Sequence, residues 1–167
     1  METMKTLLTR QAVRQYPSTQ LTSAQVQQLL QAANAAPVGM GQYENFHLTV
    51  VQSPAIIKQL ESFSQQQPYY GAPTVIIVSA KDPGAMELLS VGGIVENMAL
   101  IATELGLASC DILGAITLGL AKDQKLSQKI GIPTGFKPCF SLAVGQTAEP
   151  LTARQPTIKR ITTNFVD

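Results

Sequence analysis

The chain has 167 residues and a mass of 17.9 kDa, so residues 1–167 are expected to form one domain around a single core. Hydrophobic residues make up 45% and charged residues 14%, against about 25% charged in an average chain, which excludes a disordered polar tail. A formal net charge of +1 gives no general pull toward nucleic acid, and a single histidine excludes most histidine-based metal and triad chemistry.

The N-terminus has no apolar run of signal-peptide length, so a cytoplasmic protein is expected. Residues 3–9 read as a short helix, followed by Arg10-Gln11-Ala12-Val13-Arg14-Gln15-Tyr16 and a break at Pro17. Thr22-Ser23 opens a helix with Val26, Leu29, Leu30 and Ala33 on one face, ending before Pro37. After the loop Pro37-Val38-Gly39-Met40-Gly41, Phe46–Val51 reads as a strand and Pro54–Ser64 as a helix with Ser53 as N-cap. The β-branched run Thr74–Ala80 reads as a strand buried on both faces.

A long helix is expected from about Ala85 to Leu105, with Gly106 closing it. The apolar stretch Glu87–Leu107 contains Glu87, Glu96, Asn97 and Glu104, so it reads as a buried helix of a soluble protein and not as a membrane span. A strand at Cys110–Leu113, a helix at Ala121–Ile130, a strand at Cys139–Val144 and a last strand at Ile161–Val166 complete the pattern, with Glu149–Thr157 extended and exposed. Strands and helices without a strict βαβ rhythm predict an α+β sheet packed by helices. The low charge content leaves apolar surface that an oligomer interface would cover.

Gly39-Met40-Gly41 fails as a dinucleotide fingerprint, because a helix precedes it and a strand follows; it remains either an ordinary turn or a place where a flat ligand approaches backbone. Arg10 and Arg14, at i and i+4, share one side of the segment whether it is helical or extended. Such a pair either clamps a phosphate, with Arg154, Lys159 and Arg160 as further cations, or forms a solvated basic face. Cys110 and Cys139 sit among apolar strand residues and read as core fillers, not nucleophiles. His47 reads as a half-exposed structural residue, and Glu96-Asn97 as a source of interhelical hydrogen bonds or, less simply, of a ligand contact.

Taken in order, these segments resemble the FMN-dependent nitroreductase family. Leu7–Tyr16 is similar to its R-[RH]-S-x-R opening, Gln31–Gly39 to its A-x-x-A-P-S-[SG] helix end, Leu48–Val51 to its F-x-V-V strand, and Gly71–Thr74 with the strand that follows to its A-P-x-V-I-x-V element. Glu96–Ala102 with Leu105-Gly106-Leu107 resembles its Q-N-x-x-L-x-A…L-G-L helix. The resemblance implies a mixed or antiparallel sheet packed by helices, in a homodimer with FMN at the interface and the C-terminal segment near the partner. It implies NADH or NADPH as reductant and hydride transfer through flavin N5 to nitroaromatics, quinones or similar small molecules, with no protein catalytic residue and no metal. Arg10, Gln11, Ala12 and Arg14 would line the phosphate and pyrimidine side. Pro37, Val38 and Gly39 would come from the partner, and Ile112, Leu113 and Gly114 would offer backbone donors near N5. Arg154, with Lys159 or Arg160 as alternatives, would complete the phosphate clamp.

The chain departs from the family pattern at several points. Ala12 replaces a serine, Gln42–Phe46 replaces a Q-P-W signature, and Leu113 replaces a glutamate. Two other readings stand beside the enzyme: an FMN-holding module of the same fold, and an α+β protein without cofactor.

Overall fold

A computed structural model describes residues 2–166. In chain order the elements are α1 (Thr3–Thr9), α2 (Ser23–Asn34), β1 (Phe46–Val51), α3 (Pro54–Glu61), β2 (Thr74–Lys81), α4 (Ala85–Glu104), β3 (Leu107–Ile112), α5 (Gly114–Leu118), α6 (Gln124–Lys129) and β4 (Phe136–Gln146). Short 3₁₀ turns lie at Gly39–Gly41, Tyr43–Asn45 and Leu120–Lys122. The strands form one sheet in the order β1-β2-β4-β3, every pair antiparallel. This is the expected α+β architecture.

Strand β2 is buried from Thr74 through Ala80, because helices cover the sheet on both faces. Its alternate side chains divide between two cores. Ile76, Val78 and Ala80 join Leu142 and Val144 against α2 and α4, through Leu29, Ala33, Val91, Val95 and Met98. Val75 and Ile77 join Cys110, Ile112 and Ala143 against α3, α5 and α6, through Ile57, Leu60, Ala115 and Leu126. Both cysteines are buried and free, as core fillers should be. The register of β2 with β4 shifts between Val78 and Ser79, opposite Phe140 and Pro138, and Cys139 is the extra residue. Pro138, which has no N–H to give, thus sits at an irregularity where β3 does not pair with β4.

Helix α4 is long and apolar enough to cross a membrane by length and composition. Here Val91, Ile94, Val95, Met98, Ala99 and Ala102 are core residues of the sheet-packed layer. Its start is fixed by the Gly84 N–H, which donates to Glu87 Oε2 at 2.9 Å. At its end Gly106 takes φ +70, a conformation that suits glycine. Helix α2 begins with a capping box: Gln25 N–H donates to Thr22 Oγ1 at 3.2 Å and Thr22 N–H to Gln25 Oε1 at 2.9 Å. Thr22→Ala should therefore cost about 1 kcal/mol in urea denaturation, with an unchanged slope.

Several expectations are corrected. Helix α3 stops at Glu61 and does not reach Ser64; Ser53 is its N-cap as expected, with Pro54 in the first turn, but its side chain makes no cap bond. The helix expected at Ala121–Ile130 is broken at Asp123, whose Oδ1 accepts the Leu126 N–H at 2.9 Å and starts α6 afresh. Helix α5 was not foreseen. The strand expected at Cys110–Leu113 runs from Leu107 to Ile112. Residues 161–166 form no strand: Ile161, Phe165 and Val166 are exposed, with no sheet edge of this copy beside them.

Candidate functional site

Strand β3 is buried except at Asp111, which is half-buried. An acid in such a strand needs a cationic partner. Arg10 supplies one. It caps α1 with φ −55 and ψ 124, where the chain turns from helix to extended backbone. The extended segment then docks alongside β3: Ala12 forms a parallel bridge with Ser109, and the Val13 N–H donates to Ser109 O at 2.8 Å. Arg10 Nε lies 3.3 Å from Glu96 Oε1 of α4, and its Nη1 lies 3.6 Å from Asp111 Oδ2. Glu96 thus pairs with Arg10, while Asn97 makes the interhelical bond, its Nδ2 donating to Ala32 O at 3.1 Å.

Extended backbone places Arg10, Ala12 and Arg14 on one side. Both guanidiniums oppose the rise that burial imposes on the Cys110 thiol. Arg14 is exposed, and its guanidinium carbon sits 5.9 Å from the centroid of the Tyr70 ring. Arg154 is tied to the end of α1. Its backbone N–H donates to Leu8 O at 2.8 Å, and its side chain donates to Leu8 O and Leu7 O, both at 3.3 Å. It also draws the Glu96 carboxyl down. Arg10 and Arg154 thus act on Glu96, Arg10 also pairs with Asp111, and Arg14 lies next along the strand beside Cys110 and Tyr70. Lys159 and Arg160 lie farther along the exposed tail and are not brought to this cluster by any bond of their side chains.

Burial pushes the carboxyls of Glu96 and Asp111 upward, against the pull of Arg10. Asp111 Oδ1 is buried and has no hydrogen-bond donor. A carboxyl whose folded pKa is raised penalises the fold above that value. The penalty fades as pH falls toward the ordinary 3.8 and is gone below it. Asp111→Asn should therefore gain stability relative to the parent at neutral pH and lose that advantage in acid, as read by denaturant midpoints across a pH series.

The Pro37–Gly39 segment is built against α4: the Gly39 N–H donates to Ser90 Oγ at 3.0 Å, and the Ser90 hydroxyl donates to Met86 O at 2.9 Å. A Cβ at Gly39 would meet Met86 Cγ at 2.5 Å, so only glycine fits without moving that side chain. Ile112 is buried and accepts at its carbonyl from the Ser141 hydroxyl at 2.8 Å. Leu113 is 52% exposed and Gly114 opens α5 with free space around it, so this end of β3 is accessible. Asp111 and Tyr70 escaped the sequence reading. Asp111 had one available signal, an acid inside an apolar strand run.

The chain matches, over residues 2–163, the family described as "Putative TM nitroreductase". It belongs to this nitroreductase family. A relative from Archaeoglobus fulgidus, named "Putative NADH dehydrogenase/NAD(P)H nitroreductase", is 28% identical over 142 residues, 79% of this chain and 78% of its own. A Bacteroides fragilis nitroreductase solved with bound FMN is 28% identical and superposes with a TM-score of 0.85 over 100% of both chains. A Desulfitobacterium hafniense nitroreductase, 22% identical, shares the fold at a TM-score of 0.83 over 98% of both chains. The nitroreductase fold thus sets the extended arginine segment beside β3 and leaves the far end of that strand open.

Proposed function

We propose that this nitroreductase-family chain, acting as one domain over residues 1–167, is a cytoplasmic, homodimeric FMN-dependent NAD(P)H oxidoreductase. The observation that carries the reading is the arginine segment along β3, with Arg10 between Glu96 and the donorless Asp111, Arg14 beside Cys110 and Arg154 acting on Glu96, in a fold whose Bacteroides fragilis relative holds FMN. The residues fit such a ligand. A phosphomonoester carries roughly −1.5 to −2 charge, and guanidiniums are the groups that grip it in pairs. An orphan carboxylate oxygen accepts a ligand N–H or hydroxyl, and the open Gly114 admits a planar ring to backbone donors.

FMN, when bound, supplies the redox chemistry, taking a hydride from NADH or NADPH and passing it in ping-pong fashion to a nitroaromatic, quinone or similar acceptor. The protein binds and tunes. Arg10, Gln11, Ala12 and Arg14 hold the phosphate and pyrimidine side, with Arg154 completing the clamp. Arg10 and Arg14 place positive charge where reduction develops negative charge. Ile112, Leu113 and Gly114 offer backbone to the redox-active edge, and Pro37, Val38 and Gly39 cover the ring from the partner. A second copy has surface to use: Ala32, Ala35, Leu100, Ile101 and Leu105 line an apolar groove of about 450 Å³ between α2 and α4. The tail also exposes Ile158, Ile161 and Phe165.

The exposed apolar Leu113 favours one further reading, an FMN-holding module with little turnover. A visible spectrum of the purified protein with FMN, followed by anaerobic mixing with NADH and NADPH, separates the cases. Bleaching of bound flavin is expected. Bound flavin that neither nucleotide bleaches supports the module, and protein that binds no FMN removes both readings.

A further inference from the structure

The loop between α3 and β2 carries backbone that tyrosine rarely adopts. Gln67 has φ 44, Tyr70 φ 53 and Gly71 φ 74. Glycine takes such angles freely; a bulky aromatic residue does so only where its surroundings hold it. The loop is held at several points. Tyr70 N–H donates to Gln67 O at 2.9 Å, Ala72 N–H to Tyr69 O at 2.9 Å, and Gly71 N–H to Glu61 Oε1 at 3.3 Å. Tyr69 is wholly buried, and its hydroxyl meets Ser141 Oγ at 3.1 Å. Burial pushes that hydroxyl up to about 12, so it stays protonated at neutral pH and donates. Ser141 in turn donates to Ile112 O at 2.8 Å, at the end of β3. The loop is thereby pinned to the strand end that the functional reading assigns to the ligand.

The product of this anchoring is the placement of Tyr70. Its ring is partly exposed and lies against the guanidinium of Arg14, a long side chain that would otherwise sample many rotamers in solvent. Tyr69 alone would anchor the loop; nothing in that anchoring explains an aromatic at the left-handed position after it. We infer that Tyr70 is a positioning residue of the flavin site, its ring holding Arg14 in the pose that meets the ligand. The inference rests on the functional reading above and adds to it a residue outside the arginine segment.

The test uses Tyr70→Gly, which removes the ring and suits the left-handed backbone, and Tyr70→Phe, which keeps the ring face. In the apo protein, the Arg14 side-chain NMR resonances should be ring-shifted in the parent and Tyr70→Phe and unshifted in Tyr70→Gly, with the fold intact. FMN titration by fluorescence quenching should give about fivefold weaker binding for Tyr70→Gly and parental binding for Tyr70→Phe, since a cation–π contact at a partly exposed site is worth about that factor. In an Arg14→Ala background, Tyr70→Gly should add nothing further. Parental FMN affinity in Tyr70→Gly, or full additivity with Arg14→Ala, overturns the inference alone. Parent protein that binds no FMN overturns the functional reading and this inference with it.

Discussion

Replacing Arg10 and Arg14 together with alanine is expected to weaken FMN binding by about 3–6 kcal/mol, because each charge-assisted hydrogen bond contributes roughly 1.5–3 kcal/mol. The two side chains differ in what they leave behind. Arg14 touches the Tyr70 ring, so its loss uncovers a face that water can wet. Arg10 lies between Glu96 and Asp111, and its loss leaves the partly buried Asp111 without its cation and Glu96 with Arg154 alone. Part of the measured loss at Arg10 will therefore be a loss of fold stability. Combining Arg10→Ala with Asp111→Asn removes one stranded charge and should restore stability while leaving affinity weak. Fluorescence titration paired with thermal melts of the apo proteins separates the two effects. Unchanged affinity in the double arginine variant refutes the clamp.

Leu142→Ala should remove about 3–5 kcal/mol of stability, the range for a buried leucine whose cavity cannot collapse. Leu142 is wholly buried on β4, and β4 runs between β2 and β3, so the surrounding sheet is held on both sides. Its register partners are Ile76 on β2 and Asp111 on β3, so the cavity would open beside the residue that orients Arg10. Chemical denaturation without ligand gives the full deficit. FMN in large excess over its dissociation constant should recover about 2.7 kcal/mol at a hundredfold excess, because ligand binds only the folded chain. A deficit below 1 kcal/mol would show that α4 closes onto the vacated space.

The layered sheet was legible because its signals are local and redundant. The run Thr74–Ala80 admits little but a doubly covered strand, and Thr22-Ser23 before an apolar period marks a helix start that the Gln25 bonds confirm. The arginine segment was legible as a face but not as a conformation, since i and i+4 fall together in helix and strand alike; docking onto Ser109 decides for the extended form. What failed depended on distant partners. Ile161–Val166 has the composition of a strand, yet no edge lies beside it in this copy. Asp123 ends one turn and starts another through a single side-chain bond, which periodicity does not register. Asp111 and Tyr70 are invisible as site residues until the fold brings Arg10 to the one and Arg14 to the other.

The docking of residues 10–14 along β3 has a consequence for solubility. β3 ends the sheet, and among the described residues the Ala12 bridge and the Val13 amide cover Ser109 on that flank. The same short stretch that carries Arg10 and Arg14 thus caps an open hydrogen-bonding rim. Variants that loosen residues 10–14 from β3 would bare that rim as a template for intermolecular ladders and should aggregate more readily, as light scattering would show.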